Sequence, residues 1–201
     1  MGILISLLVF FSAIVVHEFS HAFVAYKLGD MTAARSGRLT LNPLAHIDPF
    51  GTILLPVFLI AVKSPVLFGW AKPVPIDFSA LKNPKKDIIW VGLAGPAANL
   101  LLALLATLVV KSGTISGAVM TQIAGHIILI NVILAVFNLI PIPPLDGSRI
   151  IMGLLPVPMA IRYAAIEPYG FIVLFALLYL GLFNVIIWPI VDGIIHILSL
   201  I

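Results

Sequence analysis

The clearest chemical signal in the sequence is the run His17-Glu18-Phe19-Ser20-His21. On an α-helix, residues four apart lie on one face, so both imidazoles can point at a single ion. Glu18 lies about 100° round the helix from His17, where it can reach a water at the metal without binding the metal itself. The pattern predicts a hydrolytic zinc site with His17 and His21 as ligands and Glu18 as general base.

The helix that would hold this motif is apolar, with no other ionisable residue from position 2 to position 26. The chain as a whole is 62% hydrophobic and only 9% charged, against about 25% charged residues in a soluble domain. This composition excludes a soluble enzyme, a disordered chain and a nucleic-acid module, and it predicts a polytopic membrane protein. Ionisable residues in a spanning helix each cost a few kcal/mol unless they face a cavity, a partner or a metal, so a purely structural motif is disfavoured.

Four segments are long and apolar enough to cross a bilayer: 2–26, 88–110, 121–140 and 169–188. Residues 51–62 are too few for a crossing and contain Pro56, so they predict a re-entrant or interfacial hairpin. With four crossings, all of the 11 Lys and Arg residues except Lys111 fall on one side. The positive-inside rule then places the cytoplasm on that side and both termini outside it.

The segment from 29 to 87 contains short alternating runs at 38–41 and 68–76, which predict strands of a small membrane-associated β-sheet. The expected fold class is therefore an all-α polytopic membrane protein with about four transmembrane helices, the hairpin and this sheet. We expect a single domain over 1–201. It comprises the motif helix (1–26), the β and re-entrant region (29–87), the helices that complete the metal site (88–147) and the C-terminal helices (148–201).

A catalytic zinc usually has three protein ligands, and the third is not next to the motif. Val24 and Lys27 occupy the positions that an extended HExxHxxGxxH pattern would need. The chain has no cysteine, so the candidates are distant His and acidic residues: His46, His126, Asp146, Glu167, Asp192 and His196. Asp146 follows a proline-rich stretch on the same side as the motif, and this stretch could fold it back into the membrane. A simple turn residue is the alternative for Asp146.

Together these motifs resemble the site-2 protease family of intramembrane zinc metalloproteases. The resemblance rests on the HExxH run, on 138–147 (NLIPIPPLDG), on 95–99 (GPAAN), and on 41–49 and 68–75. It implies that Asp146 is the third ligand of one Zn²⁺ ion, and that Asn99 and Asn138 face the cleft and bind substrate. An interhelical hydrogen bond is the alternative for each Asn. We expect His46 to make loop hydrogen bonds. No PDZ-like or cystathionine-β-synthase-like module is visible, so the resemblance is to a minimal form.

The function hypothesis is hydrolysis of peptide bonds within or next to transmembrane segments of membrane proteins. The expected partners are such a peptide substrate and the lipid bilayer, with no nucleic acid, and the expected location is a prokaryotic cell membrane with the active site nearer the cytoplasm. The alternative is a metal-binding membrane protein without hydrolytic activity, such as a metal transporter or an inactive scaffold homologue. It is disfavoured because the polar residues cluster at one depth and include Glu18, a base with no ligand role.

Overall fold

The computed structural model describes residues 2–62 and 71–201, and over these residues the regular secondary structure is helical. The helices are α1 (Gly2–Lys27), α2 (Thr32–Arg35), α3 (Leu55–Ala61), α4 (Pro84–Lys111), α5 (Ala118–Asn138), α6 (Asp146–Leu154), α7 (Val157–Ala164), α8 (Glu167–Tyr179) and α9 (Trp188–Leu200). Single 3₁₀ turns cover Pro43–His46 and Phe78–Ala80, and π-helical turns precede α3 (Pro49–Leu54) and α9 (Phe183–Ile187).

Helices α1, α4 and α5 form the bundle that positions the run from His17 to His21. Along α1 and α4 the contacts run in opposite directions, since His21 meets Val91 and Ala13 meets Asn99. The two helices are therefore antiparallel. Helix α5 follows α4 after a short loop and returns beside it, with Asn131 against Asn99. The start of α1, the end of α4 and the start of α5 consequently lie at one end of the bundle, which we call the outer end.

Helix α9 completes the membrane-spanning set. Its buried Val191 and Leu198, together with Ile187 of the preceding π-helical turn, pack with Ala103 of α4 and with α5. The Lys111 ammonium at the end of α4 donates to the carbonyl of Ser199, so α9 finishes at the outer end. Among the described residues, four helical segments are long and apolar enough to cross a membrane: Ile5–Lys27, Pro84–Lys111, Ala118–Asn138 and Phe183–Leu200. This protein is an all-α integral membrane protein.

The bounds predicted for the fourth crossing, 169–188, are wrong. Helix α8 ends at Tyr179, and the chain restarts as a π-helical turn at Phe183. Between them Gly181 has a φ of +93°, a left-handed conformation that side chains disfavour and glycine adopts at little cost. Hydropathy cannot locate such a break because the residues on both sides are apolar. Helices α7 and α8 form a pair bent by 65° instead.

The predicted small β-sheet is also wrong, because the residues that the structure describes contain no strand. Residues 68–70 of the second run lie outside the described residues. In residues 71–76 of that run, side chains and a neighbouring turn make the main-chain hydrogen bonds that an adjacent strand would otherwise make. Arg38 donates to the carbonyls of Lys72 and Pro73, and Glu18 accepts from the Val74 N–H. Pro73 and Pro75 have no N–H to donate, so a strand ladder here would lack donors.

Residues 51–61 belong to one helical segment, Pro49–Ala61, which is too short to be counted as a span, and Val62 follows it as a turn. Several of its apolar side chains are exposed, including Phe50, Val57, Phe58 and Ile60. This exposure fits a segment that lies against lipid. A return limb of the predicted hairpin would fall on residues from 63 onward, and residues 63–70 lie outside the described residues.

The proline-rich stretch after α5 reverses the chain and begins α6 at Asp146. Helix α6 can begin this close to the end of α5 because residue 147 is a glycine. A Cβ there would lie 2.2 Å from the carbonyl oxygen of Leu139. At the other end of α6, the Lys85 ammonium of α4 donates to the carbonyls of Met152 and Leu155. Both ends of the short helix are thus fixed against the bundle.

The arrangement of α9 predicts which positions share a membrane side. Because the chain has no cysteine, single cysteines can be introduced at exposed serines and tested with a membrane-impermeant maleimide in sealed vesicles. We expect Ser112→Cys and Ser199→Cys to react from one side and Ser36→Cys only from the other, with no reaction of the unmodified chain. Reaction of Ser199→Cys together with Ser36→Cys would show that α9 does not cross.

Candidate metal centre

Three side chains converge inside the bundle. The Nε2 atoms of His17 and His21 lie 3.0 Å apart, and each lies 3.1 Å from Oδ2 of Asp146. Both histidines are buried, at 6% exposure each. Ligands of a tetrahedral zinc ion, each about 2.0–2.1 Å from the metal, lie about 3.3 Å apart. The spacing of these three atoms therefore fits one zinc ion with a fourth position left open.

The hydrogen bonds behind the two histidines assign their tautomers. Nδ1 of His17 lies 2.6 Å from Oδ1 of Asn99, and Nδ1 of His21 lies 2.6 Å from the carbonyl oxygen of Val91. Both partners can only accept, so each Nδ1 carries a proton and donates it. In neutral imidazoles the two Nε2 atoms then bear lone pairs that point at each other and at the Asp146 carboxylate. Three acceptors facing one another need a cation, and the donor set of two imidazoles and a carboxylate suits zinc.

A glycine of α4 gives the two imidazoles their space. A Cβ built on Gly95 would lie 2.4 Å from Nε2 of His21 and 2.5 Å from Cε1 of His17. These distances are far below van der Waals contact, so even an alanine would displace the rings. Gly95 therefore lets α4 approach α1 closely enough for Asn99 and Val91 to bond the far sides of the same two rings.

Glu18 lies beside the three converging side chains without joining them. Its Oε2 accepts a hydrogen bond from the N–H of Val74 at 2.8 Å. Val74 belongs to residues 71–77, which form neither helix nor strand and which we call the strap. The strap is held at Lys72 by the His46 carbonyl, to which the Lys72 N–H donates at 3.0 Å, and at Asp77 by the Asp30 carboxylate. Glu18 is thus fixed in place as a carboxylate near the metal position, as a general base needs to be.

The metal position opens into a cavity of about 310 Å³ between α1, α4, α6 and the strap. Asn138 and Arg149 contribute polar groups to its wall, beside Glu18 and the three converging residues. The guanidinium of Arg149 forms a two-bond ion pair with Glu167 and lies 5.3 Å from the ring centre of Phe78. The rest of the wall is mainly apolar: Pro73, Val74, Ile76, Phe78, Val91, Gly92, Pro144 and Leu145.

The structure places the two predicted substrate-binding asparagines differently. Asn138 lines the cavity, with Nδ2 donating to the carbonyl of Leu134. Asn99 is fully buried behind His17, and both ends of its amide are used in hydrogen bonds to protein groups. Asn99 therefore contacts a predicted metal ligand, and its amide does not line the cavity.

The remaining third-ligand candidates lie elsewhere. His46 is buried in its loop and bonds to the Thr40 carbonyl. His126 bonds to the carbonyl of Gln122 on its own helix, and Glu167 pairs with Arg149. Asp192 and His196 are exposed on α9. Of the six candidates, only Asp146 is part of the three-residue cluster that could hold a metal.

Sequence reasoning missed several residues that shape the site. The Val91 carbonyl has no sequence signal, because any residue offers one. Asn131, which bonds to Asn99, is the one polar residue of the apolar run 127–137, and its cost in lipid is a signal that could have identified it. Arg149 lies one helical turn after Asp146. In the sequence it counts only as one of the basic residues that indicate the cytoplasmic side.

Comparison with known proteins agrees with this geometry. The chain is 40% identical over 199 residues, 95% of this chain and 86% of the relative, to "Putative zinc metalloprotease YwhC" of Bacillus subtilis. The family model described as Peptidase family M50 matches residues 110–181, which include Asn138 and Asp146. This chain belongs to peptidase family M50. Membership confirms the resemblance to site-2 proteases and the expected class of enzyme, a zinc metalloprotease.

The chain covers a smaller share of two further relatives. "Putative zinc metalloprotease Rip2" of Mycolicibacterium smegmatis is 35% identical over 163 residues, which are 81% of this chain and 61% of that relative. The Rip2 protein of Mycobacterium tuberculosis is 34% identical over 155 residues, 76% of this chain and 52% of that relative. No solved structure matches this chain.

The contact at Gly95 predicts the effect of a single methyl group. Gly95→Ala should weaken zinc binding at least about tenfold, because the new Cβ occupies the space of both imidazoles. Zinc affinity can be measured on detergent-purified protein by competition with a chromophoric chelator. Gly125→Ala is the matched control, since a Cβ there meets nothing within 4 Å and zinc affinity should not change. Equal zinc affinities for Gly95→Ala and the unmodified chain would contradict this account of the site.

Proposed function

We propose that this protein cleaves transmembrane segments of other membrane proteins, with His17, His21 and Asp146 as zinc ligands and Glu18 as general base. The observation that supports this most strongly is the convergence of Nε2, Nε2 and Oδ2 within 3.1 Å. Glu18 lines the same cavity and is not one of the converging ligands. Ligands come from α1 and α6, and the groups that orient them come from α4. We infer that the helices act as one metalloprotease domain.

The chemistry that bound zinc supplies is polarisation of a water molecule and of the scissile carbonyl. Glu18 accepts the proton of the attacking water at its carboxylate and passes it to the nitrogen of the leaving amine. The Val74 N–H holds this carboxylate on the side of the strap while the proton moves. The Asn138 amide lies in the wall of the same cavity and is our candidate for binding the substrate main chain. Asn99 instead positions His17.

The depth of the site favours a substrate that enters from the membrane. His17 lies ten residues before the end of α1, about 15 Å along the helix axis. That distance lies within the hydrocarbon core, which is about 30 Å thick, and His17 is nearer to this end of α1 than to its start, which is fifteen residues away. A peptide bond reaches this position most directly as part of a transmembrane segment. Because a helix keeps its carbonyls in hydrogen bonds, the segment must unwind locally before attack.

Charge supports an active site nearer the cytoplasm. Lys27, Arg35, Lys82 and Lys86 are exposed at the end of the bundle where α1 finishes and α4 begins. Lys111 lies at the outer end. By the positive-inside rule the first end is cytoplasmic, and the strap lies on that side of the metal position. The named relatives come from bacteria, which favours a prokaryotic cell membrane.

Replacing Glu18 with Gln tests the proposed base. Gln keeps an oxygen that can accept from Val74 but cannot take up a proton, so cleavage should fall at least about 100-fold while zinc stays bound. Single-span membrane proteins should accumulate uncleaved in membranes of cells that make Glu18→Gln in place of the unmodified protein, as quantified by proteomics. Zinc content is measured on the purified variants.

Asp192→Asn is the matched control, because it makes the same change at an exposed carboxylate on α9 and should leave cleavage unchanged. Cleavage retained in Glu18→Gln would rule out the proposed base. Zinc bound by the unmodified chain with no difference between the membrane proteomes would favour the non-hydrolytic alternative.

A further inference from the structure

A line of buried amide groups connects His17 to the main chain of α5. Nδ1–H of His17 donates to Oδ1 of Asn99, and Nδ2 of Asn99 donates to Oδ1 of Asn131 at 2.7 Å. Nδ2 of Asn131 in turn donates to the carbonyl of Ile127 at 2.8 Å. Asn99 is 0% exposed and Asn131 is 2% exposed. The two asparagines therefore bond to the protein and are shielded from solvent.

The carbonyl of Ile127, at the end of this line, decides which group donates and which accepts in each of its hydrogen bonds. The Ile127 carbonyl can only accept, so the side of Asn131 that faces it must be the NH₂ group. The oxygen of Asn131 then faces Asn99 and must be met by the NH₂ group of Asn99. That leaves the oxygen of Asn99 towards His17, which must present an N–H. A main-chain carbonyl of α5 thus sets which nitrogen of His17 has the proton.

We propose that Asn131 is a positioning residue that keeps His17 in its metal-binding tautomer. The proposal rests on His17 being a zinc ligand, as argued above. With Nδ1 protonated, Nε2 presents a lone pair to the metal position. In the opposite tautomer Nε2 has a hydrogen and cannot bind zinc. Asn131 acts only through Asn99 and contacts neither zinc nor substrate.

The second bond of the Asn99 NH₂ group cannot replace Asn131. This group also donates to the carbonyl of Ala13, but at 3.3 Å, against 2.7 Å to Asn131. Without Asn131, the longer bond alone opposes rotation of the Asn99 amide. Rotation by 180° would turn the NH₂ group towards His17 and stabilise a lone pair on Nδ1, which is the tautomer that cannot bind zinc.

Asn131→Leu removes the acceptor with little change of volume. Asn131 borders an apolar cavity of about 320 Å³ between α1, α4 and α5, so a leucine has room. We expect zinc affinity of the purified full chain to fall about tenfold, the lower end of the effect of outer-shell partners. In zinc-free protein, the ¹⁵N shifts of the His17 ring should move towards a mixture of the two tautomers.

Asn131→Leu made in a second variant, Asn99→Asp, distinguishes a positioning role of Asn131 from a packing role. In Asn99→Asp, either carboxylate oxygen can accept from His17, so there is no amide for Asn131 to orient. Asn131→Leu should then leave zinc affinity unchanged relative to Asn99→Asp alone. An equal loss in both backgrounds would mean that Asn131 acts through packing, and would overturn the proposal, as would an unchanged affinity in the native background.

Two further variants keep the test decisive. Val132→Ala removes a fully buried neighbour on α5 that lies outside the line, and it should not change zinc affinity even if it lowers thermal stability. If Asn131→Leu does not fold, Asn131→Ser serves instead, because its hydroxyl is too short to reach Asn99. Asn131→Asp keeps an oxygen that accepts from Asn99. Its zinc affinity should therefore lie within about threefold of that of the unmodified chain, a smaller change than the tenfold loss expected for Asn131→Leu.

Failure of this inference is distinguishable from failure of the proposed metal site. His17→Ala should lower zinc affinity far more than any change at Asn131. If His17→Ala binds zinc as tightly as the unmodified chain, the assignment of the ligands is wrong. If His17→Ala loses zinc and Asn131→Leu does not, the ligands stand and only the role of Asn131 is refuted.

Discussion

Three electron-rich atoms meet within 3.1 Å of one another in the interior of an apolar bundle, and the rest of the structure depends on that arrangement. In lipid, a polar group without a hydrogen-bond partner is costly because no water is present to bond to it. A bound cation converts the repulsion among Nε2 of His17, Nε2 of His21 and Oδ2 of Asp146 into attraction. The same cost explains why the polar groups behind the two histidines are matched to hydrogen-bond partners.

The close approach of α1 to α4 is the main geometrical consequence. Both imidazoles must reach the metal position and also place their Nδ1 atoms against acceptors on α4. Gly95 makes this possible because it has no side chain where the rings lie. The proposed third ligand, Asp146, comes from a different direction, on a short helix fixed to α4 by Lys85 at one end. The candidate metal centre therefore depends on packing among three helices, although its proposed ligands lie on only two.

The strap shows how the same constraint shapes the catalytic side of the site. An extended chain beside the cleft needs partners for its N–H and carbonyl groups, and a β-sheet would supply them. Here Arg38, His46 and Glu18 supply them instead. The Glu18 carboxylate is thereby part of what holds the strap, so the wall of the cleft and the proposed base are one structural unit. The family membership of the chain agrees with a hydrolytic use of this unit.

The sequence by itself determined the enzyme class, the membrane setting and the spacing of His17, Glu18 and His21, because helical periodicity and the cost of charge in lipid are local properties. It also predicted that Asp146 could return to the site, but it left a turn role open. Only the tertiary structure decided that Asn99 lies behind His17 and bonds to Asn131, that the strap forms no strand and that α8 ends before α9 begins. These features depend on which side chains and carbonyls meet across helices far apart in sequence. Hydropathy and motif spacing contain no information about such contacts.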